Sequence, residues 1–391
     1  MSSKSAAVIP VAVFDISSSS VGGAHALVKK GAQGDNKEIV SILSQSRVDS
    51  SLQEDINIER FVAETLKGIE SVATTIRKED VHHPEYIQIV LASPWYSSQT
   101  RTITYTKKTP FVCTEKFVNS LIDKEIEHII ENETDRFGIL GKEYSIVEKQ
   151  ISLIKLNGYV THAAYGKRAT SIELYLTVTI APKKVLEQFT DLIRRIYGTR
   201  KVGVTTSAYT TFVTTRDQVH SEHNAVIVDI GEEITDVAFV KDQLFLYQHS
   251  FPVGTYELYR KVAEITGSEF TEVQSQLEGY RLQKLSRRTS TAIDKAVVSF
   301  VENWQKGLQG IVDQGHYGFA LPTAWYVVVD PKFEQIITTA LTSDAYLAHK
   351  AHSPIVVRMV TAETLSLVKG VHDTKVDVPL ALALLFIDRL V

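Results

Sequence analysis

The sequence predicts an α/β protein of two similar βββαβ halves around a central cleft, with a small α+β domain inserted into the first half. Three observations predict it. Ala225–Lys241, AVIVDIGEEITDVAFVK, runs from a β-branched apolar strand through Asp229, Ile230 and Gly231 into a tight turn and back into an apolar strand. Val11–Val28, VAVFDISSSSVGGAHALV, repeats that order far upstream: strand, aspartate, small hydroxyl-rich turn, strand. The run of strands and helices that follows each turn is also similar. An acidic, hydroxyl-bearing turn at the end of buried strands suits an anion and its metal ion, although a short acidic hairpin is also an ordinary polar turn.

A chain of 391 residues is long enough for two or three domains at about one per 150 residues. With 44% hydrophobic and 23% charged residues it is not a disordered chain. A net charge of −4 gives no reason to expect a nucleic-acid partner, and the pairs Lys183-Lys184, Arg194-Arg195 and Arg287-Arg288 read as solvated helix faces. Cys113, the one cysteine, excludes a disulfide framework and a thiolate metal cluster, and reads as a small hydrophobe. The first ten residues hold no stretch of signal-peptide length, and no run of about 18 apolar residues could span a bilayer. The expectation is a cytoplasmic protein with no direct membrane span, associated with a membrane through a partner.

Taken in order, the apolar runs VIPVAVF, AHALVKK and Glu38–Leu43 predict a three-strand meander. Ile58–Ile76, with Phe61, Val62, Leu66, Ile69 and Val72 at helical spacing, predicts a helix packed on that sheet, and Tyr86–Ala92 the next strand. Residues 97–175 read as the inserted domain: an alternating strand at Gln99–Lys107, an amphipathic helix at Thr114–Asn132, and strands at Tyr144–Leu156 and Ser171–Ile180. Residues 1–96 and 176–222 make up the first half. The latter stretch adds a helix at Lys183–Tyr197, a strand at Lys201–Val204 and a helix at Ser207–Thr214. The second half, 223–391, opens with strands at Ala225–Ile230, Asp236–Val240 and Gln243–Phe251 and a helix at Tyr256–Thr266 after Gly254. Helices follow at Phe270–Leu285 and Ala292–Ile311, then a strand at Trp325–Val329, a helix at Lys332–Leu341, a strand at Ile355–Val360 and a final helix at Leu380–Leu390.

The two hairpins resemble the first and second phosphate loops of the actin-like ATPase superfamily, a ribonuclease H-like fold. They look most like the bacterial branch of the cell-division protein FtsA and the type IV pilus assembly protein PilM. That branch reads roughly D-I-G-G-G-T-T-D or D-I-G-A-E-T-T at the second loop, which Asp229-Ile230-Gly231-Glu232-Glu233-Ile234-Thr235-Asp236 matches in Asp, Ile, Gly, Thr and Asp, with Glu233 as in the PilM form. The alanine- and leucine-rich end, PLALALLFIDRL, is similar to PilM chains. The resemblance implies ATP and Mg²⁺ in the cleft. Asp15 and Asp229 would hold magnesium through water, Ser17, Ser18 and Ser19 would line the β-phosphate, and Gly231, Glu232, Glu233 and Thr235 would surround the γ-phosphate. Gly254 would open the helix beside the ribose. Backbone amides in tight turns and carboxylates set back from them suit that pair. Asp15 also reads as an aspartate capping its own turn.

Three departures weaken the site. Glu232 and Glu233 stand where FtsA has glycines, Ser17 stands where the family usually has one, and the adenosine glycines are replaced by Asp330-Pro331-Lys332, in which proline has no N–H. The resemblance therefore implies a scaffold, at most a weak ATPase, that binds ATP-Mg weakly or not at all. It would link cytoplasmic components to a pilus or division machine, through the cytoplasmic tail of a membrane protein or another component of that machine. Self-assembly into filaments is a further habit of FtsA-like chains. The sequence stops within its last helix without the FtsA membrane tail, which favours the PilM arrangement. The alternative is an active actin-fold ATPase or small-molecule kinase, though no catalytic base for a kinase stands out.

Overall fold

Strand-forming runs at the N-terminus become an antiparallel meander, β1 (Val8–Ile16), β2 (Ser20–Lys29) and β3 (Val40–Asp49). The computed structural model describes residues 7–29, 40–49, 58–80, 82–137, 143–218, 223–314, 320–361, 364–365, 368–369 and 377–391, so Glu38, expected to start the third strand, lies outside them. α1 (Ile58–Glu79) lays Val62, Ile69, Val72, Ala73 and Ile76 against Phe14, Ile16, Ile87 and Ile89 of the sheet. Gly23 makes that approach possible, because a Cβ there would sit 2.5 Å from a Val72 methyl. β4 (Tyr86–Leu91) returns parallel to β1, with Asp15 beside Val90.

The chain then leaves for a four-stranded antiparallel sheet in the order β5-β8-β6-β7. Its elements are β5 (Ser97–Val112), α2 (Glu115–Phe137), β6 (Tyr144–Leu156), the short β7 (Tyr159–Val160) and β8 (Arg168–Pro182). Val118, Ile122, Ile126 and Ile129 of α2 close a separate core over Leu174, Leu176 and Val178 of β8. β8 continues directly into α3 (Lys183–Tyr197), and β9 (Val202–Thr206) adds parallel to β4 before α4 (Ser207–Gln218).

β10 (Ala225–Ile230), β11 (Thr235–Lys241) and β12 (Leu244–Phe251) restart the strand pattern, followed by α5 (Thr255–Thr266), α6 (Phe270–Arg281) and α7 (Arg287–Gln314). α6 stops at Arg281, short of the expected Leu285, because Gln283 takes a positive φ of 55°. β13 (Ala324–Val328) runs parallel to β10, and α8 (Glu334–Thr342), the unforeseen short α9 (Ala345–Ala351) and β14 (Val356–Met359) complete the sheet order β12-β11-β10-β13-β14.

The chain finally returns through β15 (Val368–Lys369), parallel to β3, into α10 (Val378–Ile387). Two compact units result: residues 1–218 with 244–248 and 362–391, and residues 219–243 with 249–361. Residues 362–391 thus pack with the first unit, whereas the sequence order placed them in the second half. The reason is that α10 is apolar on every side, with Leu380 through Ile387 all buried, and only an enclosed seat satisfies such a helix. That seat is beside α4, where Phe386 meets the ring of Tyr209 edge-on. No described helix is long and apolar enough to cross a membrane.

Candidate functional site

The first candidate loop follows β1 in the first unit. Ser17 Oγ accepts the Ser20 amide at 3.1 Å and the Ser19 amide at 3.4 Å, and Ser17 N–H donates to the Ser20 carbonyl at 3.0 Å. The serines therefore build a self-closed turn, pinned from outside by the Trp95 indole N–H on the Ser17 carbonyl at 3.0 Å. Ser18 and Ser19 are buried. Asp15 is buried too, and its Oδ2 accepts from Nη2 of Arg47 at 2.8 Å.

That guanidinium grips more than one partner. Arg47 Nε and Nη2 form a fork on the Asp377 carboxylate, at 2.6 and 2.9 Å, and Nη1 donates to Ser20 Oγ at 2.8 Å. Asp377 in turn caps α10 by accepting the Leu380 amide at 3.1 Å. Gly22 lies opposite Arg47 in the β2–β3 register, and a Cβ there would fall 2.5 Å from Nη2, so the glycine leaves the groove in which the guanidinium lies. The neighbouring Asp15 and Asp377 carboxylates hold Arg47 far above its ordinary pKa, outweighing its burial.

The second loop joins β10 to β11 in the second unit, and brings Asp229, Gly231, Glu232, Glu233, Thr235 and Gly254 together. Gly231 N–H closes the turn on the Ile234 carbonyl at 3.0 Å. The carbonyls of Gly231 and Glu232 then accept the Thr255 and Tyr256 amides, at 2.9 and 2.8 Å, so the loop itself caps α5. Gly254 permits that docking, since a Cβ there would lie 2.4 Å from the Glu232 carbonyl group. Neither Glu232 nor Glu233 takes a positive φ, so the turn does not need the glycines of the FtsA pattern. Glu233 is ion-paired with Arg260 of α5. Thr235 is fully buried: its hydroxyl donates to the Val253 carbonyl at 2.7 Å and accepts the Trp304 indole N–H at 3.0 Å. Asp236 is buried and accepts from Ser250.

Beyond β13, where adenosine glycines were sought, Asp330 folds its own turn. Its carboxylate accepts the Lys332 amide at 2.9 Å and its carbonyl the Phe333 amide at 2.9 Å. As donor sets for a magnesium triphosphate the two loops are unequal. Asp15 already faces a cation, and the Thr235 hydroxyl is spent inside the fold, while Asp229, Gly231 and Glu232 remain partly exposed. The sequence reading missed Arg47, Asp377, Arg260 and Trp304. For Arg47 a signal existed: Gly22-Gly23 sits on the strand paired with it, a gap that asks for a large neighbour.

No protein-family model and no curated protein matches the sequence. Among solved structures, a chain of the PilM–PilN type IV pilus biogenesis complex superposes with a TM-score of 0.61 at 12% identity, over 97% of this chain and 98% of that one. The chain has the actin-like ATPase fold. Weaker likenesses include the ethanolamine utilization protein EutJ from Carboxydothermus hydrogenoformans, with a TM-score of 0.43 at 10% identity over 96% of this chain and 89% of that one. Another is the activator of the 2-hydroxyisocaproyl-CoA dehydratase from Clostridium difficile with bound ADPNP, with a TM-score of 0.40 at 10% identity over 97% and 96%. At these identities the likeness is one of fold, and the βββαβ order and both hairpins fall within it.

Proposed function

We propose that this protein is an actin-fold scaffold of the PilM type, which binds the cytoplasmic segment of a membrane protein and thereby links other components to a membrane machine. ATP-Mg is held weakly or not at all. The observation that carries this reading is the Arg47 guanidinium on Asp15, at 2.8 Å. An aspartate that holds magnesium through water needs its charge available to the ion, and here a cation fixed by two further anchors, Asp377 and Ser20, already occupies one of its oxygens. The likeness to a chain of the PilM–PilN complex supports the choice of partner class.

Titration of the full chain with ATP and Mg²⁺ by calorimetry tests the nucleotide half. Saturable heat is absent at millimolar ATP on this reading, and a micromolar Kd that disappears in Asp229→Ala overturns it. Affinity purification of the tagged chain from detergent-solubilised membranes tests the other half. An integral membrane protein co-purifies, and recovery of the chain alone would sink the scaffold reading.

A further inference from the structure

The far end of the inserted sheet carries a surface that the loops do not use. β5 pairs with β8 from Ser97 opposite Ile180 to Val112 opposite Arg168, and β6 pairs with β8 from Tyr144 opposite Pro182 to Leu156 opposite Ile172. Pro182 leads directly into α3, so the end at Val112, Leu156 and Arg168 is the distal one. The 15 residues of β8 set it roughly 45 Å away at ~3.3 Å per residue.

Three turns meet at this tip and are tied together. Asn157 Oδ1 accepts the Thr170 and Ser171 amides at 2.8 and 3.1 Å. Cys113 N–H donates to the Lys167 carbonyl, and Gly166 N–H to the Cys113 carbonyl, both at 2.8 Å. From this ordered frame project Tyr159, 79% exposed, with Val160, Tyr165 and Val112, all exposed. Four exposed aromatic and branched side chains gathered at one end of the sheet on ordered turns are more than singly scattered exposures and suit an interaction surface.

The charge around the patch is predominantly basic. Lys107, Lys108, Lys167 and Arg168 are exposed, and among the described residues none of the four is in an ion pair. Neither 99–114 nor 149–172 contains an aspartate or glutamate, and the nearest acid along the chain is Glu115, at the start of α2. A hollow of about 370 Å³ lined by Pro110, Asn157, Arg168, Ala169 and Thr170 opens at the same end of the sheet. β7, at two residues, is too short an edge for a peptide strand to extend.

We propose that this tip docks on an anionic lipid bilayer, with Tyr159 and Tyr165 at headgroup depth and the four cations on lipid phosphates. Amphipathic rings and long basic side chains are the chemistry of that interface. Each cation near an anionic surface multiplies partitioning roughly fivefold, so four together give about 600-fold. Lipid docking by the tip is independent of nucleotide and of the membrane-protein segment proposed above.

The test is sedimentation of the full chain with vesicles of phosphatidylcholine alone or mixed with phosphatidylserine. The wild type sediments with the mixed vesicles only, and less as salt rises. The variant Lys107→Glu/Lys108→Glu/Lys167→Glu/Arg168→Glu loses partitioning by more than about a hundredfold. Tyr159→Ser/Tyr165→Ser loses about tenfold. Both keep the wild-type melting temperature, since the altered side chains are exposed. A control with the same charge change on α1 and α3, Lys67→Glu/Lys78→Glu/Lys184→Glu/Arg195→Glu, retains binding. The proposal is overturned if the wild type binds neither vesicle, if the tip variant binds as the wild type does, if the control falls equally, or if an acidic polypeptide is captured where vesicles are not.

Discussion

Arg47 Nη2 stands 2.8 Å from Asp15 Oδ2, so the aspartate near the end of β1 is bound to a cation carried on β3 of the same sheet. Two carboxylates share this guanidinium, and it is about three-quarters buried at 24% exposure. Removing it strands both. Arg47→Leu is expected to cost about 3 kcal/mol, the low end for breaking a buried pair, because some solvent still reaches the site. Urea unfolding measures it. A loss under about 1 kcal/mol would mean that the fork is an exposed pair of little value.

The buried hydroxyl of Thr235 holds the fold together, bonded to the Val253 carbonyl and the Trp304 indole N–H. Thr235→Val leaves the Val253 carbonyl and the Trp304 indole N–H without their partner, at an expected cost of about 2–4 kcal/mol. Trp304→Phe removes only one donor and keeps most of the packing, so it should cost less. Chemical denaturation of the two variants settles the order, and a Thr235→Val protein of wild-type stability would refute it.

Gly254 and Glu232 offer opposite outcomes at one contact. Gly254→Ala drives a methyl to 2.4 Å from the Glu232 carbonyl group, so the loop has to leave the start of α5. A loss of about 2 kcal/mol or more is expected, with faster proteolysis at the β10–β11 turn. Glu232→Gly relieves nothing, because that backbone is unstrained, and is expected to change the melting temperature very little.

His25 gives the fold an acid-sensitive element. Its ring is buried between Asp80, 3.2 Å from Nδ1, and the Tyr197 hydroxyl, 2.8 Å from Nε2. A carboxylate only accepts, so Nδ1 carries the proton and Nε2 receives the phenol O–H. Burial pushes the imidazole below its ordinary 6.5, with Asp80 opposing and His82 and His83 adding to the effect. The unfolded chain then binds the proton more readily than the folded one. This contribution is complete above pH 6.5 and is lost progressively as the pH falls from there through the lower folded-state value. Unfolding free energies across that window should fall with pH in the wild type and less steeply in His25→Gln; parallel slopes would exclude His25 as the source.

Both hairpins and nearly every element were legible in the sequence, because alternating and 3.6-residue apolar periods report local structure directly. Asp229-Ile230-Gly231 and Asp15 marked the turns for the same reason: the residues that shape a tight turn lie next to one another in the chain. What stayed hidden depends on residues distant in sequence. Arg47 meets Asp377 across 330 positions, and no local pattern announces such a pair. The seat of α10 was misread similarly, since an all-round apolar helix demands burial without naming the partner. Thr235 shows the converse limit, as its identity fits the family pattern while its hydroxyl faces inward.

The return of α10 to the first unit governs the order in which the molecule can assemble. During synthesis, β1 to α4 emerge early but cannot bury the surface that α10 covers, and Arg47, already able to reach Asp15, lacks its second carboxylate until Asp377 arrives. The second unit is contiguous but for 244–248 and can condense first. A segment more than 300 residues downstream of β1 therefore closes the first unit, so its completion is a long-range step.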